Sequence, residues 1–186
     1  QLNPHFIFNA LNSMRALVDE EPKKAKVAIT QLSNILRNSL ITDMKRVVNF
    51  KNELNTVRDY LALESIRFEE RLQVEFDLAK GSDHFEVPPM MLQTLTGLVV
   101  IDGVSNLVNG GLIQISTEII DSELKVKIRN SGQLKFGAKP ATKGTGVGLV
   151  NTQERLKLIY GDRASFKMYN ENDKFVVVEI NIPQRK

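Results

Sequence analysis

Asn3-Pro4-His5-Phe6-Ile7-Phe8-Asn9-Ala10-Leu11-Asn12 combines a helix start and a chemistry-bearing face within ten residues. Asn3 suits an N-cap, and Pro4 suits the first helical position, where a missing N–H costs nothing. From Ile7 the apolar residues Ile7, Ala10, Leu11, Met14, Leu17 and Val18 recur with a period of ~3.6, and Glu20-Glu21-Pro22 ends the pattern. Because successive helical residues turn by about 100°, His5, Asn9 and Asn12 share one polar sector, opposite the Ile7/Leu11/Met14/Val18 stripe. Two readings fit this spacing. One is an exposed imidazole nucleophile with two amides to orient it; the other is a surface histidine near a chain end.

Further along, a second helical stripe uses Ala28, Leu32, Ile35, Leu36 and Ser39. A third uses Leu54, Val57, Leu61 and Phe68, with Tyr60 beside it. Each helix is apolar on one side only, so the three must pack together, with room for a second copy. The character changes near Leu72: residues 73–79 alternate, with Val74, Phe76 and Leu78 on one face, as a half-buried strand does. After Val87-Pro88-Pro89 the pattern predicts a helix over 90–102, a hairpin over 112–118 and 124–129, and a Gly/Lys/Thr-rich loop over 131–145. A helix over 147–160 and a last hairpin over 165–169 and 175–182 complete it. The order predicts an α+β fold with an antiparallel or mixed sheet behind a helical module.

Composition narrows the chemistry. The 186 residues are 42% hydrophobic and 25% charged, ordinary for a globular chain, with a net charge of +3 spread along the length. Nucleic acid is therefore not an expected partner. The absence of cysteine removes disulfides, zinc-thiolate sites and thiol nucleophiles together. The longest apolar runs, 96–101 and 175–178, fall far short of the roughly 20 residues of a membrane span. The chain opens on Gln1 rather than Met, so we expect a piece of a longer protein whose targeting or membrane segment lies upstream.

Gly144-Thr145-Gly146-Val147-Gly148-Leu149 places three alternate glycines before a helix. Such a segment brings backbone amides close to a phosphate, and it equally serves as a hinge. It fits neither common nucleotide fingerprint: Lys143 precedes the last three glycines, and position 149 is Leu where a dinucleotide turn needs Gly. Asn130-Ser131-Gly132, where a strand runs out, suits either a contact to a base edge or a plain turn. His84 reads as a loop residue. The carboxylates show no paired arrangement and no metal-ligand spacing; Glu69-Glu70 with Arg67 and Arg71 reads as a solvated helix face.

Together these residues resemble a known family. The segment from Asn3 to Asn12 is similar to the phosphoacceptor motif NPHFLFNSLN of LytS/YehU-type bacterial sensor histidine kinases. Tyr60-Leu61 with Glu64, Arg67 and Phe68 resembles the family's next helix, and Val87-Pro88-Pro89-Met90-Met91-Leu92-Gln93 resembles the entry to its ATP-binding domain. Gly144 to Leu149, followed by Asn151, Arg155-Leu156 and Tyr160-Gly161, is similar to its second glycine box. The resemblance implies a helical dimerisation and phosphotransfer module over residues 1–71. It also implies a GHKL (Bergerat-type) α/β sandwich over 72–186, the ATP-binding fold shared with DNA gyrase. Mg-ATP would lie under a lid near 137–145, contacted by Asn130, Gly132, Gly144, Thr145, Gly146, Gly148, Leu149 and Asn151. His5, supported by Asn9 and Asn12, would take the γ-phosphoryl group and pass it to an aspartate on a response regulator receiver domain. The partners implied are a second copy of the chain and that regulator, and the location is the cytoplasmic portion of a bacterial inner-membrane protein.

One segment departs from the family. Where relatives read V-E-N-A-I-K-H-G, this chain has Thr96-Gly97-Leu98-Val99-Val100-Ile101-Asp102-Gly103. Gly97 stands in place of the catalytic glutamate and Leu98 in place of the magnesium-binding asparagine. Asn130 replaces the adenine-contacting aspartate. Asp102, one turn beyond Leu98, is the one carboxylate at hand to hold Mg²⁺ instead. The alternatives to a working kinase are a catalytically inactive pseudokinase serving as a dimeric scaffold, and an ATP-dependent clamp. A clamp has no use for the phosphoacceptor helix.

Overall fold

The computed structural model describes residues 4–42, 45–68, 71–102, 110–133 and 145–184. Three helices come first: α1 (Pro4–Glu20), α2 (Pro22–Thr42) and α3 (Phe50–Phe68). A lone residue, Glu21, separates α1 from α2, and Pro22 begins the second helix where its missing N–H is harmless. Asn38 Nδ2 donates to Thr56 Oγ1 at 2.9 Å and Asn34 Nδ2 to Asp59 Oδ2 at 3.4 Å, so α2 and α3 run antiparallel. Phe6, Ala10 and Met14 of α1 and Ala28, Leu32 and Ile35 of α2 bury their side chains against α3.

The second part is β2 (Leu72–Leu78), α4 (Met91–Asp102), β4 (Gly111–Ile120), β5 (Glu123–Ser131), α5 (Thr145–Tyr160), β6 (Ser165–Glu171) and β7 (Phe175–Pro183). The five strands form one sheet in the order β2-β4-β5-β7-β6. β2 pairs with β4 in parallel and every other pair is antiparallel, so the sheet is mixed. Ile113, Ile115, Leu124, Val126, Ile128, Val178, Ile180 and Ile182 alternate onto one face and are buried under the helices. On the other face Arg129 donates to Gln114 Oε1 (2.8 Å) and Glu171 Oε2 (2.5 Å), with its guanidinium over the Phe175 ring. Asp121 and Ser122 turn β4 into β5 with φ of 50° and 63°, the two left-handed residues of a tight hairpin. At the start of β4, Gly110 has φ of 82° and a Cβ there would lie 2.2 Å from the Arg71 carbonyl oxygen, so no larger residue fits.

A small element escaped the sequence reading. β1 (Val48–Asn49) pairs antiparallel with β3 (Glu86–Val87), and Phe50 N donates to Phe85 O at 2.8 Å. Two residues per strand carry too little alternation to be read. They nonetheless stitch the start of α3 to the segment that enters α4.

Candidate functional site

His5 lies on the first turn of α1 and is exposed. Asn9 Nδ2 stands 3.1 Å from His5 Nδ1, one helical turn away. An amide NH₂ can only donate, so in this arrangement Nδ1 accepts and Nε2 carries the proton of the neutral ring. With the Asn9 amide turned over, its oxygen would accept from Nδ1–H and Nε2 would hold the lone pair; the assignment of that amide decides the tautomer. Asn12 is exposed on the same helix.

Behind His5 the neighbouring Phe6 turns inward. Its ring packs on Tyr60 of α3, with centroids 4.6 Å apart. Burial pushes the Tyr60 phenol upward, with Glu64 adding to the rise and Arg67 opposing it. The Tyr60 hydroxyl lies 3.7 Å from the position a Cβ at Gly97 would take. A line of contacts thus runs from the histidine's own turn of helix, through Phe6 and Tyr60, to position 97 on α4. Glu64, one turn beyond Tyr60, is buried and its carboxyl is pushed above the usual range by that burial, opposed by Arg67, whose Nη2 lies 3.1 Å from Oε2.

Beside this contact the first turns of α5 come close to α4. A Cβ on Gly148 would stand 2.9 Å from Thr94 Cγ2 and 4.0 Å from Leu98 Cδ1. Gly148 therefore has a packing reason to be glycine, independent of any phosphate. Leu149 is half-buried against the core and Asn151 is exposed. Thr145 and Gly146 open α5; Gly144 and the expected lid up to it lie outside the described residues.

Asn130 sits on β5, 2% exposed. Its Nδ2 donates to Ser131 O at 3.1 Å, while its Oδ1 has no partner. That fixes the amide with an oxygen acceptor presented in the interior, which suits an amino group on a ligand. Thr96, fully buried on α4, likewise has a hydroxyl without a partner, and α4 packs on β5. Gly132, just past Asn130, has φ of 131° and donates its N–H to Lys174 O at 2.9 Å.

Among the described residues the donor set does not fit Mg²⁺. Position 98 offers only hydrocarbon beside the glycine-rich turn, and magnesium takes oxygen ligands. Among the described residues no group of three or more His, Asp or Glu is placed to hold a metal. Asp102 ends α4; its side chain lies outside the description, as do Glu69 and Glu70.

Sequence reasoning missed Glu53 and underused Tyr60. Both are buried polar residues on the inner face of α3, at positions i and i+7 of the stripe through Val57 and Leu61. A carboxylate on an apolar face was the available signal.

A histidine kinase family model matches residues 1–72. Sensor protein LytS of Streptococcus mutans is 33% identical over 195 residues, covering 100% of this chain. LytS of Enterococcus faecalis is 30% identical over 195 residues, again covering 100% of the chain. The chain is a relative of the LytS-type sensor histidine kinases. Sensor histidine kinase BtsS of Escherichia coli is 28% identical over 185 residues, covering 100% of the chain. The chain spans about a third of these relatives, 33% of both LytS proteins and 32% of BtsS. Among solved structures, Acinetobacter baumannii histidine kinase AdeS aligns with a TM-score of 0.53 at 16% identity, covering 97% of this chain and 96% of that one. The catalytic domain of histidine kinase ThkA in a nucleotide-free form aligns at 0.54 and 21% identity, covering 74% and 94%. At such identities the likeness is one of fold: helices followed by the histidine-kinase α/β sandwich. No described helix is long and apolar enough to cross a membrane.

Proposed function

We propose that this chain is the phosphotransfer and nucleotide-binding part of a two-component sensor kinase, with residues 1–71 carrying His5 and residues 72–186 holding ATP. The observation that carries the reading is the contact line from the His5 turn through Phe6 and Tyr60 to Gly97, which sets the acceptor helix beside the helix that should face the nucleotide. An imidazole nitrogen of His5 attacks the γ-phosphorus, the bond to the β–γ bridging oxygen breaks, and its electron pair leaves with ADP. The displaced N–H proton must go to a base or to water. Phosphoryl transfer depends chiefly on positioning and charge neutralisation. The phosphohistidine then gives its phosphoryl group to an aspartate of a response regulator receiver domain.

Asn130 supports the nucleotide half, since its unpartnered oxygen matches the exocyclic amine of adenine. Gly132, the glycine-rich stretch through Gly148, Leu149 and Asn151 complete the ATP contacts in this reading. A homodimer is favoured by the apolar residues left outside on the helices: Phe8 is 66% exposed, Leu11 49% and Val18 51%, with Ile29 and Leu40 on α2. In the whole sensor this part would stand on the cytoplasmic side of a membrane, joined through a segment upstream.

Gly97 and Leu98 favour a second reading, an inactive dimeric scaffold, because the base and the metal ligand of relatives are both gone. The test is a calorimetric titration with ATP, with and without Mg²⁺, followed by an assay for acid-labile phosphate on His5. A site with a Kd of about 0.1 mM, roughly −5.5 kcal/mol, is visible at comparable protein concentration. Binding followed by phosphate on His5 supports the kinase; binding alone, or neither, supports the scaffold.

A further inference from the structure

The entry to α4 is held by its two neighbouring helices. Glu53 of α3 accepts the Met90 N–H through Oε1 at 2.7 Å and the Leu92 N–H through Oε2 at 3.0 Å, and Arg155 of α5 donates to Pro89 O at 3.1 Å. What α4 then turns toward α5 is hydrocarbon. A Cβ on Gly148 would stand 2.9 Å from Thr94 Cγ2 and 4.0 Å from Leu98 Cδ1. The first turn of α5, whose backbone amides have no partner within the helix and suit a phosphate, is therefore walled on this side by methyl groups. Magnesium sheds its waters reluctantly and takes oxygen ligands in return. A methyl wall offers none.

The chemistry is the reverse on α4 and β5, which pack together and carry two buried polar atoms without partners. Thr96 is fully buried and its hydroxyl is unpaired. The hydroxyls of Thr30, Ser33, Thr56, Ser65 and Thr152 each donate to the carbonyl one helical turn back, at 2.8–3.1 Å, so Thr96 departs from the habit of the chain's other helices. Asn130 shares the buried face of β5 with Leu124, Val126 and Ile128. Its Nδ2 is spent on Ser131 O at 3.1 Å, which leaves Oδ1 as a fixed acceptor. An exocyclic amine satisfies that oxygen. The ring carbonyl of guanine would set oxygen against oxygen and leave both unsatisfied, a loss of roughly 10–100-fold in affinity.

We propose that this site takes adenine nucleotides by their base and without magnesium, so that AMP and ADP are ligands on a par with ATP. This rests on the nucleotide-holding reading of residues 72–186 above and is independent of phosphotransfer to His5. The acceptor on β5 reads the amine that all three nucleotides share, while the side of α4 facing the glycine-rich turn gains nothing from a metal bridging the outer phosphates. Free ATP and its magnesium complex then compete, and by mass action excess Mg²⁺ leaves ATP binding unchanged or weaker.

Calorimetric titration of the chain with AMP, ADP, ATP and GMP, each in excess Mg²⁺ and in EDTA, tests this. Expected are Kd values for AMP, ADP and ATP within about threefold of one another in EDTA, no tightening of ATP by Mg²⁺, and GMP weaker than AMP by at least about tenfold. Asn130→Leu should lose AMP, and Asn130→Asp, which keeps an acceptor oxygen, should retain it. ATP binding that tightens about tenfold or more with Mg²⁺ and exceeds that of ADP and AMP would overturn the proposal while leaving the nucleotide-holding reading intact. GMP binding as well as AMP, or unchanged AMP binding in Asn130→Leu, would overturn the base contact. Should either variant fail to fold, the comparison of AMP with GMP in the unsubstituted chain decides that point. No binding by any of the four nucleotides would remove the reading and the proposal together.

Discussion

The hydroxyl of Tyr60 lies 3.7 Å from where a Cβ on Gly97 would stand, an ordinary van der Waals distance. The glycine is therefore not demanded by packing against α3. A side chain can leave α4 here beside the residue that also touches Phe6 of α1.

This leads to a restoration experiment. Gly97→Glu with Leu98→Asn returns a base and an oxygen ligand to α4. The double variant should raise acid-labile phosphate on His5 about 10²–10⁴-fold in rate, the usual contribution of a positioned general base. It should also make ATP binding magnesium-dependent. His5→Gln in the same background must abolish the label. No gain over the parent chain would show that the site lacks more than these two residues.

Gly148 gives a prediction about packing. A methyl at 2.9 Å from Thr94 Cγ2 is overpacked, so Gly148→Ala should destabilise by about 1–3 kcal/mol. Thr94→Ser removes Cγ2 and should recover most of that loss in the double variant. The four-way cycle of urea midpoints measures the coupling. Additive effects would mean that the helices separate on their own to accept the methyl.

How far the fold could be read depended on how much pattern each element carries. The α1 period and the alternation of 112–118 and 124–129 were long enough to be legible, and their strands extend only slightly further, to Gly111–Ile120 and Glu123–Ser131. β1 and β3, two residues each, were not legible. Nor was the parallel β2–β4 pairing, because alternation along one strand says nothing about its neighbour's direction. The motif around His5 was readable, whereas its link to position 97 was not: Tyr60 joins residues 54 positions before it and 37 after it in three dimensions.

Association through the helices also divides by face. Met14, on the same apolar stripe as Leu11 and Val18, is buried within the chain at 4% exposed, whereas Leu11 and Val18 are about half exposed. Phe8→Glu with Leu11→Gln should give a folded monomer by light scattering, with an unchanged unfolding midpoint at low protein concentration. Met14→Gln should instead destabilise the chain itself by a few kcal/mol, roughly 2–5, through loss of core packing. A dimer persisting in the Phe8/Leu11 variant would place the interface elsewhere.

Glu53 fixes the last prediction, the pH dependence of stability. Its carboxyl is raised in the folded chain from 4.5 to about 7 by burial. A raised carboxyl binds its proton on folding, so its contribution is fully present below 4.5 and is lost as pH climbs through 7. The whole gap corresponds to roughly 3–4 kcal/mol at most. Asp59 and Glu64 are also raised by burial, so the parent chain should lose stability over this range from several groups at once. Glu53→Gln isolates one of them, because the other two are common to both chains. Urea unfolding at pH 5 and pH 8 should show a smaller decline in the variant than in the parent. Equal declines would mean that the Met90 and Leu92 amides stabilise the carboxylate enough to cancel its burial, leaving Glu53 ionised throughout.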